Sequence, residues 1–159
     1  MKLTLMSLVS ALMATTALAM PKVGDVVNYN FTVSQQGQNT SGTLKQLITT
    51  FVNGMYNVET TYEVNGQTQV QNNQRKPENM IDDKTISAVL SNCSAYNGKL
   101  ETVTVPAGSF NTCLIPNNEN NQKGEVWFGA VPFGVVKMVS TNENGRQTRM
   151  DLTSFQFGK

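Results

Sequence analysis

No histidine occurs anywhere in the 159 residues. Its absence removes the Ser-His-Asp and Cys-His nucleophile systems and most zinc and copper sites, because imidazole is the general base of the former and a principal ligand of the latter. Cysteine is scarce as well. Cys93 and Cys113 are the only two, and their spacing is not the Cys-x-x-Cys of a redox centre. Charge is thin, at 14% of residues. No Ser-x-x-Lys pair is present, and the carboxylates that a glycosidase would need (Asp82, Asp83, Glu101, Glu125 and Asp151) show no spacing that sets them apart from surface charges. Neither an enzyme nor a cofactor or metal is expected.

The first nineteen residues set the compartment. Lys2 precedes an apolar run from Leu3 to Leu18 that closes on Ala17-Leu18-Ala19, the form of a cleavable export signal. Ser7, Ser10, Thr15 and Thr16 interrupt the run, which is shorter than the ~20 apolar residues of a membrane span. Cleavage would leave residues 20–159 with Met20 first, periplasmic or secreted, and no cysteine beside the site to carry a lipid anchor. Without Lys2, 11 basic residues (12 − 1) face 11 acidic ones, and no basic block remains to attract the phosphates of a nucleic acid. About 140 residues suffice for a single core. The surface is rich in Asn, Gln, Ser and Thr, as in many exported β-proteins. Asn30, Asn39 and Asn92 fall in Asn-x-Ser/Thr triplets, which read as chance in so Asn-rich a chain.

Alternation dominates the remainder. In "VVNYNFTV", Val27, Tyr29, Phe31 and Val33 share one face and Asn28, Asn30 and Thr32 the other, the period of a half-buried strand. "SQQGQNTSG" reads as a loop before a strand over 43–52. Asn53-Gly54 and Asn65-Gly66 supply the positive-φ pairs of tight hairpin turns, between which Tyr56, Val58, Thr60, Tyr62 and Val64 alternate. A third such turn is expected at Asn144-Gly145. At "IDDKTISAVLSNC" the period changes. Asp82 or Asp83 caps a short helix whose Ile86, Val89, Leu90 and Cys93 form an apolar stripe. The sum is a mainly β fold: one antiparallel curved sheet or open barrel of about eight or nine strands in meander order, with one short helix packed on it.

"ETVTVPAGSFNTCLI" encodes its own hairpin. Pro106 presets φ at the corner, and Gly108 supplies the left-handed position of a type I turn followed by a bulge. Val103, Val105, Phe110, Leu114 and Ile115 divide between the two faces, so both sides of the ribbon should be covered. In an oxidising compartment the two cysteines pair by default. A Cys93–Cys113 disulfide closes a spacing of 20 residues (113 − 93) and stabilises by ~3 kcal/mol through chain entropy.

"VPAGSFNTCLI" followed by "GEVWFGAVPFGVVKM" resembles the pattern of bacterial exported TapB-like domains of unknown function, in which a Pro-x-Gly-x-Phe hairpin precedes a Trp-containing strand and a Val-Pro-Phe-Gly turn. The similarity covers roughly residues 100–140 and is structural rather than catalytic. Such domains distantly resemble the LolA and LolB periplasmic carriers, curved sheets around a helix that shelter acyl chains. The resemblance implies a non-enzymatic periplasmic carrier of a lipid or acylated peptide. With the helix stripe set against the concave side of the sheet, a ligand between them would face Ile86, Val89, Leu90, Trp127, Phe128, Val131 and Phe133, whereas the other reading of Trp127 and Phe128 is a buried strand pair that completes the core. The alternative is a structural or partner-binding protein of the cell envelope with a closed core.

Overall fold

The computed structural model describes residues 20–118 and 122–159. The expected export signal over 1–19 lies outside the described residues. Nine strands follow one another: β1 (Val26–Gln35), β2 (Gln38–Val52), β3 (Met55–Val64), β4 (Gln67–Arg75), β5 (Lys99–Val105), β6 (Gly108–Asn117), β7 (Gln122–Phe128), β8 (Val135–Asn142) and β9 (Gln147–Gln156). All pair antiparallel in a single sheet, in the order β4-β3-β2-β1-β9-β8-β7-β6-β5. Two sequential meanders, β1–β4 and β5–β9, are therefore joined by one non-local seam between β1 and β9. The seam runs from Val26 opposite Gln156 to Ser34 opposite Gln147. Its register slips between Asn28 and Tyr29, and the extra residue on β9, Thr153, donates its hydroxyl to the Asn28 carbonyl at 3.0 Å.

The sheet does not close, since β4 and β5 form its two edges. It curls instead: the Ala107 amide at the β5–β6 corner donates to the Leu152 carbonyl of β9 at 3.1 Å. From β4 the chain reaches the opposite edge through a 3-10 turn (Pro77–Asn79), the helix α1 (Asp83–Ser91) and a second 3-10 turn (Cys93–Tyr96).

Tight turns explain the hairpin order. Asn53-Gly54 and Asn65-Gly66 hold both residues at positive φ, at 52° and 74° and at 52° and 75°, which matches the twist of the strands they join. Gln36-Gly37 does the same at 50° and 80°, so the stretch read as a loop over 34–42 is a turn within continuous strand. At Asn144-Gly145 only the glycine has positive φ. There the connection is wider and is held by the Asn142 side chain, whose Oδ1 accepts from the Asn144 and Arg146 amides, each at 3.0 Å. Pro106 and Ala107 make a two-residue corner with Val105 directly opposite Gly108. Gly108 has φ +131°, far from the left-handed helical well, so the expected type I turn with a bulge is replaced by this shorter corner.

Asp82 caps α1, its Oδ1 accepting from the Thr85 amide at 2.7 Å. Ile86 and Val89 are the buried residues of the helix. Val89 and the disulfide pair Cys93 and Cys113 form one small cluster, joined by Leu90, Ile115 and Phe128. The two Cα atoms lie 5.6 Å apart. Gly98 lies against the bridge: a Cβ there would come within 2.6 Å of the Cys113 sulfur and 2.8 Å of the Cys93 sulfur.

The main core gathers Val27, Tyr29, Val103, Val105, Trp127, Val131, Val136 and Leu152. A further cluster contains Ile48, Tyr56, Val58 and Met80, and Phe133 packs against both. The β5–β6 ribbon is covered on both sides only in part. Thr102 with Asn111 and Thr104 with Ser109 bond to each other on an exposed face.

Candidate functional site

The faces of β1, β2 and β3 that bury Val27, Tyr29, Ile48 and Val58 continue toward the hairpin tips, where their apolar residues lose cover. Phe31, Val33, Leu44, Tyr62 and Val64 are only half-buried there. Register explains their meeting: Tyr29 lies opposite Leu44, which lies opposite Tyr62, while Phe31 lies opposite Met150 across the seam and Met150 opposite Met138. Strand alternation then puts these side chains on one face. They line a half-open cleft of about 700 Å³ together with Gln35, Gln36, Gln38, Thr40, Gln69, Arg146 and Thr148. The volume falls within the ~300–1,000 Å³ of small-molecule sites.

The cleft has an apolar wall and a polar rim. Three hairpin tips contribute, those of β1–β2, β3–β4 and β8–β9. Arg146 is the one charged residue among those lining it. Its backbone is fixed on both sides by Asn142, whose amide donates to the Arg146 carbonyl at 3.0 Å and whose side chain accepts from the Arg146 amide. Below the cleft the Tyr29 hydroxyl donates to the Val135 carbonyl at 2.8 Å, and burial pushes its phenol well above the ordinary tyrosine range.

The residues expected to face a ligand are placed elsewhere, and not together. Trp127 and Val131 lie in the main core. Val89, Leu90 and Phe128 pack around the disulfide. Ile86 and Phe133 line a smaller cavity of about 270 Å³, shared with Met20, Pro21, Lys22, Asp25, Ile81, Asp82, Asp83, Pro132 and Phe157. Trp127 is fully partnered: its indole N–H donates to Glu101 Oε1 at 2.6 Å and the Lys137 ammonium stands 4.4 Å from the ring centroid. Leu44, Met138, Met150 and Arg146 were missed by sequence reasoning. The available signal was that the alternation in β1 runs on through Phe31 and Val33, beyond what the core covers.

Asp25 organises the ground between the two ends of the described residues. It is 7% exposed, and its carboxylate accepts from the Lys22 amide at 2.8 Å and the Gly158 amide at 2.7 Å. The Tyr56 hydroxyl donates to the Pro21 carbonyl at 2.8 Å beside it. These are structural contacts. Among the described residues no group of His, Cys, Asp or Glu could hold a metal ion, and no helix is long and apolar enough to cross a membrane.

No family model matches the chain, and no curated protein matches its sequence. Solved structures show a partial likeness. A putative exported protein with a YmcC-like fold from Bacteroides fragilis is 13% identical, with a TM-score of 0.49, over 87% of this chain and 98% of that one. A chain in the complex of MucA and MucB from Pseudomonas aeruginosa is 12% identical, with a TM-score of 0.44, over 84% of this chain and 52% of that one. A crystal structure of MucB is 14% identical, with a TM-score of 0.39, over 88% and 55%. The chain spans about half the length of the chains it matches in the last two. Likenesses this remote carry no argument about what the chain binds.

Proposed function

We propose that this protein is a non-enzymatic binding protein of the periplasm or exterior, holding the hydrocarbon tail of a single-chain anionic amphiphile in the cleft between the hairpin tips. One observation carries the reading: a cleft of about 700 Å³ whose wall is Phe31, Val33, Leu44, Tyr62, Val64, Met138 and Met150, with Arg146 as its one charged lining residue. Each methylene moved from water to such a wall gains ~0.8 kcal/mol, so tail length dominates affinity. The guanidinium adds preference for a carboxylate or phosphate head, to which it can donate in a fork. The two methionines suit an acyl chain of varying length, since their thioethers adapt to irregular contacts. Export through residues 1–19 belongs to this reading. The cavity beside Ile86 and Phe133 is smaller and is lined by Lys22, Asp25, Asp82 and Asp83, and the disulfide cluster packs against Val89 and Leu90 of the helix.

Methyl-labelled methionine gives the test. Titration with laurate should shift the Met138 and Met150 signals saturably and raise the melting temperature, while Met80 stays still and Trp127 emission is unchanged. Arg146→Gln should weaken laurate about tenfold, ~1.4 kcal/mol, and leave dodecanol unaffected. A shift confined to Met20 would move the site to the cavity beside the helix. No shift at any methionine at saturating laurate would reject the ligand reading in favour of an envelope protein bound at the surface.

A further inference from the structure

The two edges of the sheet are not equivalent. β5 has seven residues, starts with Lys99, carries Glu101, follows directly on the 3-10 turn Cys93–Tyr96 and ends at a corner bonded to β9. These are the devices that keep a sheet edge from pairing with another chain. β4 meets a charge and a 3-10 turn only where it ends, at Arg75, Lys76 and Pro77–Asn79, and has neither a charge inside its length nor a corner bonded to another strand. It has nine residues, its pairing with β3 shows no bulge, and residues 67–74 contain no charge, proline or glycine and are all exposed. Only Arg75 at its end is charged.

The turn fixes which backbone groups are free. In a two-residue hairpin the residues flanking the turn, here Val64 and Gln67, bond to each other. Hydrogen-bonded pairs then recur at every second residue of β4, at Gln69, Gln71, Asn73 and Arg75, as the register to Tyr62, Thr60, Val58 and Tyr56 requires. The amides and carbonyls of Thr68, Val70, Asn72 and Gln74 point away from the sheet.

We propose that this edge pairs with β4 of a second copy of the chain, antiparallel about a two-fold axis at Gln71. In that register Val70 faces Asn72 of the second copy and Thr68 faces Gln74, each pair exchanging two bonds and its symmetry mate two more, about eight bonds in all. A two-fold axis sets every side chain near the centre beside its own copy, where like charges would repel. The uncharged run over 67–74 meets that condition, whereas β5, with Lys99 and Glu101, is guarded. Because β5 is blocked, pairing ends at two copies and does not propagate into a fibre. An 18-stranded sheet results, with the ligand clefts of both copies beside the junction, since Gln69 lines the cleft.

Sedimentation velocity from about 1 to 500 µM, a range suited to weak self-association, tests the proposal without any ligand. The wild type should pass from monomer to dimer. Gln71→Lys and Gln71→Glu, each of which sets like charges face to face at the axis, should sediment as monomers with unchanged circular dichroism. An equimolar mixture of the two variants should restore the dimer. Asn72→Pro removes only an outward-pointing amide and should also give a folded monomer. A wild type that stays monomeric throughout, a dimer that survives Gln71→Lys, or a mixture of the two variants that stays monomeric would each overturn the proposal. So would a monomer that takes up an unrelated extended peptide at β4.

Discussion

Asp82 stabilises α1 by accepting the Thr85 amide on its carboxylate. Thr85, through its side chain first and its backbone next, holds the Asp82 carboxyl below its ordinary value. A depressed folded-state pKa means that the contribution is present above the unfolded value, ~3.9, and is lost as pH falls through the folded one. The group is exposed, so solvent screens part of it. Asp82→Ala should cost about 1 kcal/mol at pH 7 in urea unfolding, and the difference from wild type should shrink below about pH 4. Asp82→Asn should retain most of the cap and lose that pH dependence. At this scale the sequence was legible wherever a side chain acts on its neighbours, as at Asp82, Asn53 and Asn65. It was less so at Gln36, which adopts a positive φ that its residue type does not announce, and at Asn142, whose side chain rather than Asn144 builds the β8–β9 turn.

Among the elements, the β7–β8 connection holds an unusual conformation. Phe133 has φ 61° in a turn closed by the Gly134 amide on the Val131 carbonyl at 2.9 Å. A bulky residue there costs ~1–3 kcal/mol of backbone strain. The offset is packing, because the ring touches both the main core and the cluster around Ile48 and Tyr56. Truncating a buried Phe costs ~3–5 kcal/mol, less for a half-buried one, so packing outweighs strain. Phe133→Ala should therefore be strongly destabilising. Phe133→Gly should be milder by about 1 kcal/mol, because glycine removes the strain along with the ring. Thermal unfolding of the two variants reads the strain as their difference. The elements themselves were legible because strand alternation, the Asn-Gly pairs and the helical stripe are all local patterns. The cysteine pairing was legible because export and a count of two leave one partner.

For the whole molecule, what the sequence did not disclose is the seam. Nothing in "VVNYNFTV" or in residues 147–156 names the other as partner, since pairing across 113 (147 − 34) to 130 (156 − 26) residues is decided by the total burial it achieves rather than by any local signal. The cleft follows from that seam. Phe31 and Val33 come from one meander, Met138 and Met150 from the other, and the face each occupies could be read while their meeting could not. The seam also bears on time. Both meanders assemble from neighbouring hairpins, which form rapidly, whereas β1 must wait for β9, a contact of high loop-closure cost. Pulse-labelled hydrogen exchange during refolding should show β2–β3 and β6–β7 amides protected first, with the β1 and β9 amides that face each other protected last and together. A chain threaded out of the cell amino end first would hold β1 with its outer edge bare until its final strand arrives, and in that interval it is the species most exposed to proteases and to illicit strand exchange.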